Sequence, residues 1–491
     1  MGDNLELSAG AERRIGDRIA ASIYRDPDYI EDPVLGDYMQ SIWQPLVAAA
    51  RARGELNAEL DERFAWDLFL IRDRSINAFA LPGGYLGVHL GLIAAVASRD
   101  ELAAVLGHEL SHVTQRHISR LITQQSRMAP LMIAALILGA LAASKAPQAA
   151  QAAMVGGQAL AAQTQLNFSR DMEREADRIG FGVMTDAGFD SRGVANMFEK
   201  LQQSSRVNDN GSLPYLRSHP LTTQRIAEAQ SRMQLALKET PFGPTAAERS
   251  AHERLLHIMM ASRARVLADP GVDTLRVMLA EAQRQAAPVQ ADSRRATPAV
   301  VRSAGALYAG ALAAAKLRDF PSARDFAEKL RSLAAGNTPA TNVVDLLSLE
   351  LDLLAGVVPA GISGIDISKT VVRADLLMQS RALLAAGRPG EVADRLNTWV
   401  TAHPKDAVAW QQLAVAYGNL NQNVRAIRAD AESRVAQLDY TGALDRFRAA
   451  QAMMRNNPAS ADFIEGSIVD TRTRQLDSLV KEHALQDKLD R

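Results

Sequence analysis

The chain has 491 residues, a formal net charge of −1 at pH 7 and no cysteine. This length predicts two or more domains. The near-zero charge argues against the basic surface of nucleic-acid-binding proteins, and the lack of cysteine excludes a disulfide framework or a cysteine-ligated zinc ribbon.

The first residues, MGDNLELSAGAERRIGDRIAA, are charged and lack the apolar centre of a secretory signal. Two short apolar runs follow, at Ile76–Ala80 and Tyr85–His89, and Pro82-Gly83-Gly84 separates them. This pattern predicts a strand, a tight turn and a second strand that leads into a helix at about Leu90. No phosphate-loop glycine pattern follows the two glycines.

The stretch DELAAVLGHELSHVTQRHISRL, which begins at Asp100, predicts one amphipathic helix with Asp100 as its N-cap. At about 100° per residue, His108 and His112 lie about 40° apart, and Glu109 lies beside them. An HExxH motif in a helix is typical of a zinc site, since two imidazoles bind the metal and the glutamate serves as base. The plain alternative is a solvated polar edge on a buried helix.

His117 lies about 180° from His108 on the same helical wheel, so it cannot share that metal. We therefore expect His117 to pack or to cap near the end of the helix. The extended motif with a third histidine six residues after the second is also absent, because Ile118 stands there.

Residues 128–165 begin with the apolar run MAPLMIAALILGALAA and continue as a segment rich in alanine, glutamine and glycine. Sixteen apolar residues fall short of the roughly 20 that a membrane-spanning helix needs. Three alternatives remain open: a lid or membrane-touching loop over the zinc, a packed pair of core helices, or a true span.

A catalytic zinc needs a third protein ligand, and the segment SRDMEREADRIG offers one. Glu173 and Asp177 lie one helical turn apart beside an apolar stripe. Glu173 can complete a His-His-Glu site, and Asp177 can accept the free ring N–H of a ligand histidine or donate a proton. Glu175 competes as ligand but lies about 200° round the helix from Glu173.

HExxH followed by EREAD resembles the M48 metallopeptidases, and so do NAFALPGGYLGVHLGLI upstream and SHPLTTQRI downstream. The resemblance covers residues 65–235. It implies one Zn²⁺ per chain, His108, His112 and Glu173 as ligands, and Glu109 as general base. It also implies that the SHPLTTQR loop reaches the active site, where His219 would occupy the fourth zinc position and Arg225, or less favourably Tyr215, would stabilise the transition state. The plain alternative for His219 is a surface loop.

After about residue 255 the composition turns to alanine, leucine and arginine. AWQQLAVAY (Ala409–Tyr417) fits the first helix of a tetratricopeptide repeat, and GALDRFRAAQ (Gly442–Gln451) fits a second helix. We predict about four such repeats, with a generic helical bundle as the alternative. Stacked helix pairs form surfaces suited to protein partners.

The predicted fold is therefore mainly α. A zincin-like protease domain with a small sheet (residues 1–255) precedes a tetratricopeptide-repeat solenoid (residues 256–491). M48 members with such a tail occur in the Gram-negative periplasm, so the resemblance implies a periplasmic zinc endopeptidase whose signal peptide has been removed. It would degrade misassembled outer-membrane β-barrel proteins, assist their assembly, and contact the assembly machinery through the repeats. The alternative is a chaperone or adaptor with a silent metal site.

Overall fold

The computed structural model describes residues 7–124, 170–207, 214–239, 244–269, 271–285, 297–359, 361–456 and 463–489. These residues are mainly helical with one small sheet, as predicted. Across these ranges, no helix combines the length and the apolar character that crossing a membrane requires. The lid, core or span predicted at 128–165 lies outside the described residues.

Two compact units make up the chain: Met1–Ile19 with Asp26–Leu347, and Ala20–Arg25 with Ser348–Arg491. We predicted a division near residue 255, whereas Pro244–Ala268 is a single helix through that position. Its buried residues Met259 and Met260 belong to the core of the first unit. The functional division of the chain at residue 255 stays a prediction.

As far as Ala268, the helices are α1 (Ala9–Ile23), α2 (Pro33–Ala52), α3 (Ala58–Arg63), α4 (Leu90–Ala95), α5 (Arg99–Thr114), α6 (His117–Gln124), α7 (Arg170–Asp186), α8 (Arg192–Val207), α9 (Pro214–Ser218), α10 (Thr223–Glu239) and α11 (Pro244–Ala268). Further along are α12 (Val272–Gln285), α13 (Pro298–Lys316), α14 (Phe320–Ala334), α15 (Thr338–Ala355), α16 (Arg373–Ala385), α17 (Pro389–Ala402), α18 (Ala407–Asn419), α19 (Asn423–Ala436), α20 (Tyr440–Asn456) and α21 (Phe463–Leu489). Short 3₁₀ turns occur at Ile362–Gly364 and Ile367–Lys369.

The sheet has four strands, β1 (Tyr29–Ile30), β2 (Asp67–Ile71), β3 (Ala78–Leu81) and β4 (Tyr85–His89), in the order β1-β2-β4-β3. β2 and β4 are parallel, whereas β1 pairs with β2 and β3 pairs with β4 in antiparallel fashion. The β3–turn–β4 hairpin confirms the predicted strand–turn–strand. Gly83 and Gly84 allow this turn because both have positive φ, at 75° and 84°. β3 is an edge strand and packs beside α5.

The predicted start of the zinc-motif helix was wrong by two residues. Ser98 is the N-cap of α5, and its hydroxyl accepts a hydrogen bond from the Glu101 amide. Asp100 instead accepts a hydrogen bond from the Asp190 amide at 2.9 Å, so its carboxylate ties α5 to the start of α8.

The predicted single helix is also interrupted. α5 ends at Thr114, Arg116 adopts a left-handed conformation with φ 54°, and α6 begins at His117. The Arg116 side chain bonds Glu12 Oε2 and Ser119 Oγ, and these contacts hold the turn in place. Non-glycine residues seldom adopt this conformation, so the sequence contains no clear signal for the break.

α5 and α7 cross at two glycines. A Cβ on Gly180 would lie 2.9 Å from the carbonyl carbon of Gly107, so a larger residue there would push the helices apart. This close approach brings the EREAD segment of α7 up to the histidines of α5. The crossing therefore builds the candidate site.

In the second unit, consecutive helices from α16 to α21 pack against one another. The predicted repeat residues Trp410, Leu413 and Tyr417 lie in its core, as do Ala443 and Phe447. The two repeat matches lie on α18 and α20, and α19 separates them. They therefore belong to different helix pairs, and the register of the repeats stays a prediction.

Candidate metal centre

Four buried side chains from three parts of the chain converge on one point. α5 supplies His108 and His112, α7 supplies Glu173, and the loop after α9 supplies His219. Their exposed fractions are 6%, 0%, 2% and 1%. One nitrogen or oxygen from each residue lies within 4.8 Å of the others, so together they could hold a metal ion.

The distances between these atoms fit a tetrahedral zinc. His108 Nε2 lies 3.0 Å from His112 Nε2 and 3.3 Å from His219 Nδ1. Glu173 Oε1 lies 2.9 Å from His219 Nδ1 and 3.4 Å from His112 Nε2. Ligands at about 2.0–2.1 Å from a tetrahedral zinc lie roughly 3.3–3.4 Å from one another. The residues present therefore fit the group that the motif implies.

His108 is oriented from behind by a carboxylate. Its Nδ1 lies 3.0 Å from Asp177 Oδ1, so Nδ1 carries the proton and Nε2 keeps a lone pair that faces the centre. Burial raises the pKa of Asp177, but hydrogen bonds from Arg225 and His108 outweigh this effect and lower it to about 2. Asp177 is thus a carboxylate anion, which accepts hydrogen bonds and donates none.

Arg225 is buried and contacts two acidic side chains and a backbone carbonyl. Its Nε and Nη2 lie 2.6 and 2.8 Å from the two oxygens of Asp177, and its Nη1 lies 2.7 Å from Glu173 Oε2 and 2.8 Å from the Pro220 carbonyl. The guanidinium therefore holds two acidic side chains of the site and the loop that carries His219. Its predicted contact with the transition state stays a prediction.

Glu109 lies beside the cluster and is fully buried. Its Oε2 accepts a hydrogen bond of 3.1 Å from the Ala80 amide of edge strand β3, and its Oε1 lies 3.4 Å from His219 Nε2. Burial raises the pKa of Glu109 above its ordinary value. A carboxyl group with a raised pKa is better suited to accept and return a proton near neutral pH.

The loop that carries His219 is short and packed. The ring of Tyr215 lies 4.7 Å from that of His219, and the His219 amide donates to the Tyr215 carbonyl at 2.9 Å. Burial lowers the pKa of His219, but the carboxylates of Glu109 and Glu173 outweigh it and raise the pKa. Although burial raises the pKa of Glu173, His219, His112 and His108 hold it well below its ordinary range.

His117 was expected to pack or cap, and the structure places it in the site's surroundings. It is fully buried, and its Nδ1 lies 2.8 Å from His112 Nδ1. Its Nε2 lies 3.0 Å from Oε2 of Glu175, the residue that competed with Glu173 as ligand. The only sequence signal for this contact is the histidine itself, because the turn at Arg116 creates the proximity.

Comparison with known proteins points to one family. The model of peptidase family M48 matches residues 38–233. A putative beta-barrel assembly-enhancing protease of Vibrio cholerae is 38% identical over 226 residues, which are 46% of this chain and 45% of the relative. The beta-barrel assembly-enhancing protease of Escherichia coli K12 is 29% identical over 471 residues, or 95% of this chain and 87% of the relative.

The mitochondrial metalloendopeptidase OMA1 of Arabidopsis thaliana matches a shorter part of the chain. It is 31% identical over 164 residues, which are 33% of this chain and 31% of that protein. The residues that the family model matches include the metal cluster of α5, α7 and the His219 loop. Residues 38–233 thus match the model of peptidase family M48, and this match, the relatives and the metal cluster together support a zinc metalloendopeptidase.

Proposed function

We propose that this protein is a periplasmic endopeptidase that degrades misassembled outer-membrane β-barrel proteins and is latent at rest. The observation that carries this proposal is the arrangement of four metal-binding groups with the carboxyl of Glu109 beside them and the edge strand β3 next to Glu109. Metal-dependent peptide hydrolysis uses metal ligands, a general base and a backbone edge that can bind the substrate. The site contains candidates for all three.

His108, His112 and Glu173 are proposed as the zinc ligands, and Glu109 as the general base. When bound, zinc acts as a Lewis acid toward the scissile carbonyl and lowers the pKa of water at the site to about 7. Glu109 takes the proton of the attacking water and returns it to the amine of the leaving peptide. Asp177 keeps His108 in its ligand tautomer while this proton moves.

The edge strand β3 is proposed to bind the substrate as an added strand. Since β4 pairs with the other edge of β3, the Ala80 amide faces away from the sheet and contacts Glu109. An extended peptide that pairs with this outer edge of β3 would place its backbone beside the base. This geometry favours unfolded segments over folded proteins.

His219 is proposed to keep the enzyme latent. A catalytic zinc leaves its fourth position open, and an imidazole there excludes both water and the substrate carbonyl. The 3.3 Å distance from His219 Nδ1 to His108 Nε2 and the 3.4 Å distance from its Nε2 to Glu109 support this role, because His219 lies between the ligands and the base. A movement of the loop would then activate the enzyme.

The substrate and location are proposed by analogy with the relatives named beta-barrel assembly-enhancing protease, one of which matches 95% of this chain. Misassembled barrel proteins expose unpaired strands, which suits an edge-strand site. The helical region after residue 348 is proposed to contact the outer-membrane assembly machinery, and to help in assembly as a chaperone does. Peripheral contact with a membrane through 128–165 stays a prediction.

The buried base and the capped metal position favour one rival, a chaperone or adaptor whose metal site is silent. Cleavage of casein and of an unfolded barrel protein by the wild type and by Glu109→Gln separates the two. Our proposal predicts slow cleavage by the wild type that Glu109→Gln abolishes. Equal, background rates for both proteins, with His219→Ala equally inactive, would favour the rival.

A further inference from the structure

The metal ligand His112 has a neighbour whose role neither the motif nor the proposed mechanism assigns. His117 is fully buried at the first position of α6, five residues after His112. In an unbroken helix the two side chains would point about 140° apart. The left-handed turn at Arg116 ends α5 and directs the His117 ring back against that of His112, with the ring centroids 4.8 Å apart.

A chain of hydrogen bonds runs from α7 to His112 through this ring. Glu175 Oε2 lies 3.0 Å from His117 Nε2, and His117 Nδ1 lies 2.8 Å from His112 Nδ1. Arg120, also on α6, lies 3.0 Å from the same oxygen of Glu175. The contacts therefore join α5, α6 and α7 behind the metal centre.

The order of donors and acceptors along this chain follows from its anionic end. The Glu175 carboxylate, which faces Arg120, can only accept, so His117 Nε2 carries a proton. A neutral imidazole has one proton, which leaves His117 Nδ1 as an acceptor. The nitrogen that faces it, His112 Nδ1, must then be the donor. His112 Nε2 is left with a lone pair directed at His108 and Glu173.

We propose that His117 and Glu175 are positioning residues that fix the tautomer and ring orientation of His112 for metal binding. This inference rests on the proposed ligand set, in which His112 binds zinc through Nε2. Asp177 orients the His108 ring by a direct contact. The His112 ring is instead oriented through a second imidazole, that of His117. The three acidic residues of EREAD then act together: Glu173 binds the metal, and Asp177 and Glu175 orient one ligand histidine each.

The alternative is that His117 only fills space between α5 and α7. Two substitutions distinguish packing from hydrogen bonding. His117→Asn places an amide oxygen about where Nδ1 lies and can still accept from His112, whereas His117→Leu keeps the volume and removes the acceptor. A matched control is His257→Leu, since His257 is another fully buried histidine that bonds Tyr38 and Val96 rather than the metal cluster.

The test is the zinc affinity of the full-length protein, measured by competition with a chromophoric chelator, beside the thermal unfolding of each metal-stripped variant. Loss of a group that orients a ligand typically lowers metal affinity about 10–100-fold. We expect that loss for His117→Leu, a smaller loss for Glu175→Leu, and affinities near the wild type for His117→Asn and His257→Leu. If His117→Leu fails to fold, the zinc affinity of Glu175→Leu tests the inference instead. Glu175 is partly exposed, so its replacement should leave the fold intact.

Wild-type affinity in the folded His117→Leu and Glu175→Leu variants would overturn the inference. Equal losses of zinc affinity in His117→Asn and His117→Leu would also overturn the inference, because altered packing would then explain both losses. Failure of the proposed function looks different: His112→Ala would retain zinc, which would remove His112 from the ligand set whatever the His117 variants do.

Discussion

The Nδ1 atom of His219 lies 2.9 Å from Oε1 of Glu173, and the two residues are 46 positions apart in the chain. This contact completes the set of metal-binding atoms around the centre. It also directs the second His219 nitrogen toward Glu109. The loop that carries His219 must pack against α7 before the site exists. The four metal-binding side chains therefore come together only in the folded unit.

His219→Ala is therefore expected to increase the cleavage of unfolded casein severalfold, because the fourth metal position becomes accessible to water and substrate. His252→Ala, at an exposed position of α11, is the control and should leave the rate unchanged. Zinc-edge absorption should show one imidazole fewer in the variant. Unchanged coordination and an unchanged rate in His219→Ala would exclude latency through His219.

Arg225→Ala is expected to lower the free energy of unfolding by about 3–5 kcal/mol, because it leaves the buried charge of Glu173 and the partly buried charge of Asp177 without their cation. Arg225→Lys should lose less stability than Arg225→Ala, since it keeps the charge and loses only the forked hydrogen bonds. Urea unfolding measures both. A loss below about 1 kcal/mol for Arg225→Ala would show that the guanidinium does not hold the site together.

His257 makes the stability of the first unit depend on pH. Burial lowers the pKa of His257 from 6.5 to about 4. Below pH 6.5 the unfolded chain binds a proton that the folded chain does not, so this contribution to stability is complete above pH 6.5 and is lost as pH falls toward 4. Between pH 7 and 5, the wild type should lose about 2 kcal/mol more than His257→Leu.

Chemical unfolding of the two proteins across this pH range measures that difference. Parallel stability curves for the wild type and His257→Leu would mean that the imidazole titrates alike in the folded and unfolded chains. They would therefore contradict the buried, neutral state that the contacts with Tyr38 and the Val96 carbonyl indicate.

A fragment that ends at Gly356 is expected to bind zinc and to cleave an unfolded peptide, because the metal cluster lies wholly in the first unit. A fragment that ends at residue 255 should be much less stable, since it loses the buried Met259 and Met260 and the His257 contact with Tyr38. Thermal unfolding and zinc content compare the fragments. A folded 1–255 fragment as stable as the longer one would support a domain boundary at residue 255.

The sequence predicted the parts of the site that depend on local spacing. The HExxH residues lie one turn apart on a helix, and the β3–β4 hairpin follows from its Pro-Gly-Gly turn. The features it missed depend on tertiary contacts. The left-handed turn falls on Arg116 rather than on a glycine, so the sequence does not indicate it. The hydrogen bond from Arg116 to Glu12 joins residues more than a hundred positions apart. His117 reaches His112 only because of that turn.

The ends of the compact units also depend on tertiary contacts. A change of composition near residue 255 marks where metal-binding motifs cease, but helix packing decides where a compact unit ends. α11 contacts α4 and α2, so the core of the first unit continues past the last motif. Composition carries little information about such contacts, because apolar helices of similar sequence occur in both units.

The central claim is that His108, His112 and Glu173 bind one zinc while Glu109 acts only as base. The most direct test measures zinc content and casein cleavage in the same preparations of wild type, Glu109→Gln and His112→Ala. We predict about one zinc per chain in the wild type and in Glu109→Gln, cleavage only in the wild type, and neither zinc nor cleavage in His112→Ala. Full zinc occupancy in His112→Ala, or normal cleavage by Glu109→Gln, would contradict the account.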